Sequence, residues 1–515
     1  MVDLLFIFKV HQPYRLKKGF FWERQMFRKL TKEQLFDFYF DSAKNREIFE
    51  RASRKCYFPS NDILLRLIDE FKKEKKKVKV SFSVSGVFFE QCEVFSPDLL
   101  ESFKQLSNTG CVEFLDQPYY HSLVGLYPTR DEFIEQVGMH RQLMKDLFNS
   151  EPVSFENTEL IYNNAIAKVV DRMGFAAIFT EGVDRILKGR SPNYIYKAKS
   201  CEKLRVLLRN YKLTDDIGFR FSLRSWSDWP LTADKYAAWL AATQGQCVTI
   251  FPDYETFGEH HWPETGIHDF LRHLPRELLK WEQLSMSTPS EVVTKYKAAG
   301  EIDVQELGDT VSWADINRDT SGWLGNTMQW AYYSTTKELE PLVKEAKDKE
   351  FLKLWRYFLI SDHLYYMFTA GGTPSEVHAY FSPYESPMDA FVTAQGAVLD
   401  FESRLRMYVN AANEPFLFYS GLGEENFTGI KVWSLMGLID ALRKVDVKLI
   451  EFHNGKGDFE KWARFSLLDE VLAKNLEEVR LSGVQGEKLR HDLQEAANAR
   501  SIKLKKMVHA TMKSF

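Results

Sequence analysis

Residues Cys247 to Trp262, CVTIFPDYETFGEHHW, place Asp253, Glu255, Glu259, His260 and His261 directly behind a short apolar run. Cys247 to Phe251 has the composition of a strand buried on both faces, and Pro252, which lacks an amide proton, ends it. The acids are therefore expected at the C-terminal end of a strand, the face on which barrel and open α/β enzymes gather their catalytic loops. A loop that is merely polar is the alternative for this segment taken alone.

Other apolar runs release polar residues in the same way. His11-Gln12-Pro13 follows 4–10, Ser85-Gly86 follows 78–84, and Asp116-Gln117-Pro118-Tyr119-Tyr120-His121 follows 111–115. Glu156-Asn157-Thr158-Glu159 follows 153–155, and Thr180-Glu181-Gly182 follows 175–179. Carboxylates released on one barrel face converge on one pocket. Cleavage of a glycosidic bond needs two of them, one ionised to attack or stabilise the anomeric carbon and one protonated to serve the leaving oxygen. Asp253, Glu255, Glu159, Glu113 and Glu181 are the candidates, and position alone does not choose among them or separate them from structural ion-pair partners.

A metal centre ranks lower. His11, Asp116, His121, His260, His261 and His363 are donors in principle, but His11-Gln12-Pro13 lacks a neighbouring Asp, and adjacent His260 and His261 point different ways on an extended loop. Neither a G-x-S-x-G elbow nor a nucleotide-binding glycine fingerprint occurs, so neither a catalytic metal nor an organic cofactor is expected.

The elements that must position these groups alternate. Strands are expected at 4–10, 78–84, 111–115, 153–155, 175–179, 218–223 and 247–251. Helices are expected between them, one begun by Ser60-Asn61-Asp62 and one by a capping box of Thr129 and Glu132. Seven such repeats within about 260 residues are the pattern of an incomplete (β/α)7 TIM-like barrel, an α/β fold. Three domains are expected: a catalytic barrel over 1–285, a helical region over 286–410 that completes the active site, and a small helical C-terminal domain over 411–515, with 428–446 read as helix.

The 515-residue chain carries a formal net charge of −4, which gives nucleic acid and anionic membrane no electrostatic purchase. Forty Phe, 22 Tyr and 12 Trp supply more flat rings than a core requires, and sugars stack on such rings. Five cysteines without a CxxC pair, and an N-terminus without a basic leader, lead to the expectation of a cytoplasmic protein.

Five ordered stretches together resemble glycoside hydrolase family 57: His11-Gln12-Pro13; Gly110-Cys111-Val112-Glu113; Phe155-Glu156-Asn157-Thr158-Glu159-Leu160; Asp253 through His260; and Ser312-Trp313-Ala314-Asp315 through Trp323-Leu324-Gly325-Asn326. The stretch around Ser361-Asp362-His363 resembles it too. The resemblance implies a retaining enzyme of α-1,4-glucans, α-amylase-like, with Glu159 as nucleophile and Asp253 as acid/base. It further implies that His11, Glu113, Glu255, Asp315 and His363 bind sugar; from composition and position, Trp229, Trp262 and Trp323 are added as stacking platforms. VHQPYRL and DTVSWADINRDTSGWLGN are similar to the α-amylase group. The readings left open beside it are a 4-α-glucanotransferase using the same site, a zinc-dependent barrel hydrolase and a non-catalytic glucan-binding protein.

Overall fold

The computed structural model describes residues 1–18, 30–314, 316–369 and 382–513. Ten strands form one sheet: β1 (Val2–Val10), β2 (Val80–Val84), β3 (Val112–Phe114), β4 (Ser154–Glu156), β5 (Ala177–Glu181), β6 (Tyr196–Ala198), β7 (Arg205–Arg209), β8 (Cys247–Ile250), β9 (Leu284–Met286) and β10 (Glu301–Ile302). β1 is its hub. All nine of its residues are buried, as a run without polar alternation requires when both faces are covered.

Parallel pairing runs β8-β1-β2-β3 on one side and β4-β5-β7 on the other. The two halves meet at two thin seams, Asp116 against Phe155 and Arg209 against Thr249. Seven parallel strands thus form the expected α/β incomplete barrel, with β6 added antiparallel to β7 and β9 beside the start of β1. Between the sheet and its covering helices, Phe8 packs its ring against Phe82, Tyr254 and Phe257 at 4.9–5.6 Å, while Leu5 and Ile7 of the same strand join Phe179 and Phe251 in a separate cluster.

Several local expectations are corrected. The strand expected at 218–223 is a helix end and a turn; the true strand is β7, whose terminal arginines hid it, and Arg209 tolerates burial because it is paired. Ser60-Asn61-Asp62 does not cap a helix over 63–76: helix Ser42–Ala52 runs through a wide π turn at Ser53–Tyr57 into helix Phe58–Glu70. Thr129 caps nothing, because Arg130 occupies the position before helix Asp131–Phe148 in a left-handed conformation without a side-chain cap.

The chain divides into two compact units, one of residues 1–16, 40–330 and 359–390, the other of 17–39, 331–358 and 391–515. Segments 331–358 and 391–410 therefore pack with 411–515. Within that second unit Phe401 of helix Pro387–Val409 meets Phe351, Phe358 and Tyr39. The stretch 428–446 is half strand: β11 (Ala411–Tyr419) and β12 (Phe427–Ser434) form an antiparallel hairpin, and helix starts only at Leu435. Phe416, Phe418 and Val432, spaced two or more apart on these strands, cover Phe459 and Trp462.

Candidate active site

The C-terminal ends of β1, β3, β4 and β8 bring one cluster together around Glu159. β4 ends at Glu156, and Glu159 follows in a tight turn with φ +59°, Leu160 after it at φ +52°. Two successive non-glycine residues in the left-handed region cost on the order of 1–3 kcal/mol each, so the surroundings must enforce the turn. Asn157 does so by donating its amide to Ile161 O at 2.8 Å, and Thr180 Oγ1 donates to Leu160 O at 3.1 Å.

The Glu159 carboxylate accepts four hydrogen bonds. Lys9 Nζ (3.1 Å) and Trp313 Nε1 (2.7 Å) donate to Oε2, while His121 Nε2 (3.0 Å) and Ser361 Oγ (3.0 Å) donate to Oε1. Burial alone would raise its pKa. The Lys9 ammonium, the His121 N–H and the Trp313 indole outweigh burial and hold Glu159 well below the usual carboxylate range. Burial, with His11 and Lys9 nearby, takes His121 down to about 3, so its ring is neutral and the proton sits on Nε2. Nδ1 then accepts from Gln117, whose amide is oriented with its NH2 group 3.1 Å away.

Asp253 shows the opposite behaviour. The pairing of β1 with β8 continues past the strand, so that Lys9 N–H donates to Pro252 O at 3.1 Å and Lys9 lies in register with Asp253. Burial first, then the negative charges of Glu159 and Glu156 against the relief from Lys9, push Asp253 up to about 6. An ionised carboxyl and a protonatable one thus act on one lysine and on each other, the division that general acid and nucleophile chemistry requires.

Glu255 is pushed further, to about 8, by burial and the proximity of Asp253. Tyr57, from the π turn, donates its hydroxyl to Glu255 Oε1, and Gln12 Nε2 donates to Tyr57 Oη at 3.0 Å. Glu255 is thereby a neutral, hydrogen-bonded buttress behind Asp253 in the free protein. Glu259 pairs with Arg51, Nε at 2.9 Å. His261 bonds Ser222 Oγ (2.7 Å) and the carbonyls of Ile217 and Gly218, so its place is structural.

A second network fixes the Trp313 loop. Arg209 and Arg318 both bind Glu181 (2.8 and 2.9 Å) and Asp215 (2.7 and 2.8 Å), closing a ring of alternating charge, and Arg318 also donates to Trp313 O at 3.0 Å. Glu181 is thus an ion-pair partner. Asp116 likewise serves structure, through His140 Nδ1 at 2.6 Å.

Of the residues singled out from the sequence, His11 lies in the cluster: Nε2 meets Asp362 at 3.0 Å, Nδ1 meets Ser85 Oγ at 2.7 Å, and its ring sits 4.1 Å from that of His121. His363 is buried beside Ser361 and Asp362 in helix Ser361–Tyr365. Glu113 is not brought to Glu159. Its register with Ser81 sets it two residues short of Ser83, and its carboxylate accepts from Ser154 Oγ (2.6 Å) and Ser290 N (3.0 Å).

Trp229 and Trp262 are exposed, with Arg224 and Lys55 over their rings at 5.8 and 4.2 Å. Trp323 is 1% exposed and packs against Tyr365, so the indole expected as a platform is a core residue; burying its large apolar area outweighs leaving it in water. Asp315 lies outside the described residues. Sequence reasoning missed Lys9, Ser361, Tyr57 and Arg318 and weighed His121 only as a metal ligand. A lysine near the end of LLFIFKV, where both strand faces are covered, was the available signal. Among the described residues, no three His, Cys, Asp or Glu side chains are grouped to hold a metal ion.

An incomplete parallel barrel that sets an ionised and a protonatable carboxyl at its strand ends defines a class, the barrel glycosidases. The profile of glycosyl hydrolase family 57 matches residues 5–305, and the chain belongs to that family of retaining enzymes. Over 407 residues it is 46% identical to a Methanocaldococcus jannaschii protein provisionally named an alpha-amylase, covering 78% of this chain and 84% of the relative. Among solved structures, a family 57 branching enzyme from Thermococcus kodakaraensis, in complex with glucose, matches at 14% identity and TM-score 0.55 over 87% of this chain and 93% of that one. A family 57-type branching enzyme from Pyrococcus horikoshii matches at 16% identity and TM-score 0.54 over 80% and 90%. At these identities the structural likeness concerns the fold alone. Among the described residues, no helix is long and apolar enough to cross a membrane.

Proposed function

We propose that this glycoside hydrolase cleaves α-1,4-glucans, with Glu159 as nucleophile and Asp253 as acid/base. The observation that carries the roles is the opposed ionisation of the two carboxyls: four hydrogen bonds, one of them from the Lys9 ammonium, keep Glu159 anionic, and burial beside that anion keeps Asp253 protonated up to about pH 6. The substrate class rests on membership of the family and on the 46% identical relative.

In the first displacement a Glu159 oxygen bonds the anomeric carbon, the bond to the glycosidic oxygen breaks, and that oxygen takes its electron pair and the Asp253 proton. In the second, water bonds the anomeric carbon and gives its proton to Asp253, while the electron pair of the ester bond returns to Glu159. His11, Glu255 and His363 are proposed to meet sugar hydroxyls, as is Asp315; Glu113 is proposed to act from below the pocket. Trp229 and Trp262 are proposed as outer stacking platforms. Five buried cysteines without disulfides fit a reducing compartment, and we place the protein in the cytoplasm.

Glu159→Gln is expected to bind glycogen on affinity gels yet lose soluble-starch hydrolysis by at least about 10³-fold. Turnover within about tenfold of the wild type rejects the nucleophile. Chromatography of products from maltopentaose reads the fate of the glycosyl-enzyme: shorter sugars alone mean water is the acceptor, and chains longer than the substrate mean that sugar is.

A further inference from the structure

Lys9 is fully enclosed in the barrel, yet the double displacement written above assigns it nothing. Its ammonium faces Glu159 Oε2 at 3.1 Å and Glu156 Oε1 at 3.7 Å, both from the end of β4, and lies 4.2 Å from the centre of the Trp313 ring. Asp253, from the end of β8, completes the set of carboxyls that act on it. Neutral His121, from the end of β3, bonds the other oxygen of Glu159 and feels the Lys9 charge, and Arg209 of β7 lies 5.5 Å from the centre of the same Trp313 ring. The backbone of Lys9 is tied to the acid's segment and its side chain to the nucleophile, so one residue fixes the spacing of the two.

The charges around this ammonium move in a simple way. When Glu159 becomes an ester its negative charge disappears, and Asp253 becomes an anion as it gives up its proton. The number of carboxylates facing Lys9 stays the same while the charge crosses from one side of it to the other. The second displacement sends the charge back. Resting on the roles given to Glu159 and Asp253 above, we propose that Lys9 is the stationary counter-cation of the double displacement, a positioning residue that serves the anion at either end of its path.

Two consequences separate this role from simple packing. Removing the ammonium raises the proton affinity of both Glu159 and Asp253, so both limbs of the pH profile of kcat/KM move upward. It also leaves the returning electron pair of Glu159 without a cation, so the glycosyl-enzyme persists.

The test uses the full chain and maltopentaose. Lys9→Met is expected to move both limbs up by about one pH unit or more and, acid-quenched during turnover, to show by intact mass a larger glycosylated fraction than the wild type. Lys9→Arg is expected to restore both limbs. Glu156→Gln, which removes a neighbouring negative charge, is expected to move the alkaline limb down, and it decides the matter should Lys9→Met not fold. If Lys9→Met folds like the wild type by circular dichroism and its limbs stay put, the role of Lys9 is overturned. If only Glu156→Gln folds, an unmoved alkaline limb overturns it. The two levels fail separately: an active Glu159→Gln removes the reading of the site, whereas an inert Glu159→Gln beside unmoved limbs in Lys9→Met removes Lys9 alone.

Discussion

Replacing Glu255 by Gln should leave the fold intact and change how stability depends on pH. Glu255 is 6% exposed and accepts the Tyr57 hydroxyl at Oε1, a bond that glutamine's carbonyl oxygen can keep. Burial and the neighbouring Asp253 carry the carboxyl from an ordinary value of 4.5 to about 8. Between those two pH values the folded protein holds a proton that the unfolded chain has released. Stability therefore falls as pH rises through the window, and the contribution is gone in the glutamine variant. At about 1.4 kcal/mol for each unit separating the two values, the ceiling is on the order of 5 kcal/mol. Asp253 acts with the same sign over a lower range, so the difference between the two proteins reports Glu255 together with its interaction with Asp253. Denaturant melts of wild type and Glu255→Gln at pH 5, 6, 7 and 8 provide the measurement. The variant should gain on the wild type steadily toward pH 8. Parallel curves across the series would mean that Glu255 is ionised in the folded protein, and the argument from burial would be wrong.

Two other outcomes follow from the same geometry. The wild-type kcat/KM profile should decline on its alkaline side near pH 6, as Asp253 loses its proton, and on its acid side only well below pH 4.5, where Glu159 takes one up; a profile flat to pH 8 would exclude Asp253 as the acid in the free enzyme. Gly258 has φ +133°, and a Cβ there would stand 2.0 Å from the Lys55 carbonyl oxygen in the π turn that carries Tyr57. Gly258→Ala should cost about 2 kcal/mol or more, and an unchanged unfolding midpoint would show that the turn yields freely.

The barrel was legible because burial on both faces writes itself into a strand as an unbroken apolar run. β1, β2 and β8 could be read that way, and the acids behind them followed from where such strands must end. β7 escaped because its ends are Arg205 and Arg209, and the burial of Arg209 depends on its pairing with Glu181 and Asp215, which the strand's own pattern does not show. GFRFSL, by contrast, alternates with a strand's period but stands in a turn, since local pattern does not see what packs over it. The hairpin at 411–434 was lost among helical neighbours for a like reason: on β12 only Val432 and Ser434 are buried, too sparse a signal for period two.

For the site, chain order gave candidate carboxyls but could not rank them, because rank depends on ionisation and ionisation depends on neighbours. Glu113, within β3, and Glu159, behind β4, both stand as candidates. One accepts from a serine hydroxyl and a backbone amide, the other from Lys9, His121, Trp313 and Ser361. Trp323 and Trp313 lie ten positions apart in one tryptophan-rich stretch, and only packing determines that the second reaches the carboxylate while the first is buried.

The left-handed turn at Glu159 also has a consequence for how the chain comes into being. The four donors to the carboxylate that this turn presents lie 150, 38, 154 and 202 positions away along the sequence, and two of them, Trp313 and Ser361, come after every strand of the barrel. During synthesis β1 through β8 leave the ribosome before either exists. A nascent barrel can collect its strands and form the turn while the Glu159 carboxylate still lacks half of its hydrogen-bond partners, and contacts this remote are slow to close. The activity of this chain is therefore completed late in its folding, by the last segment to reach Glu159.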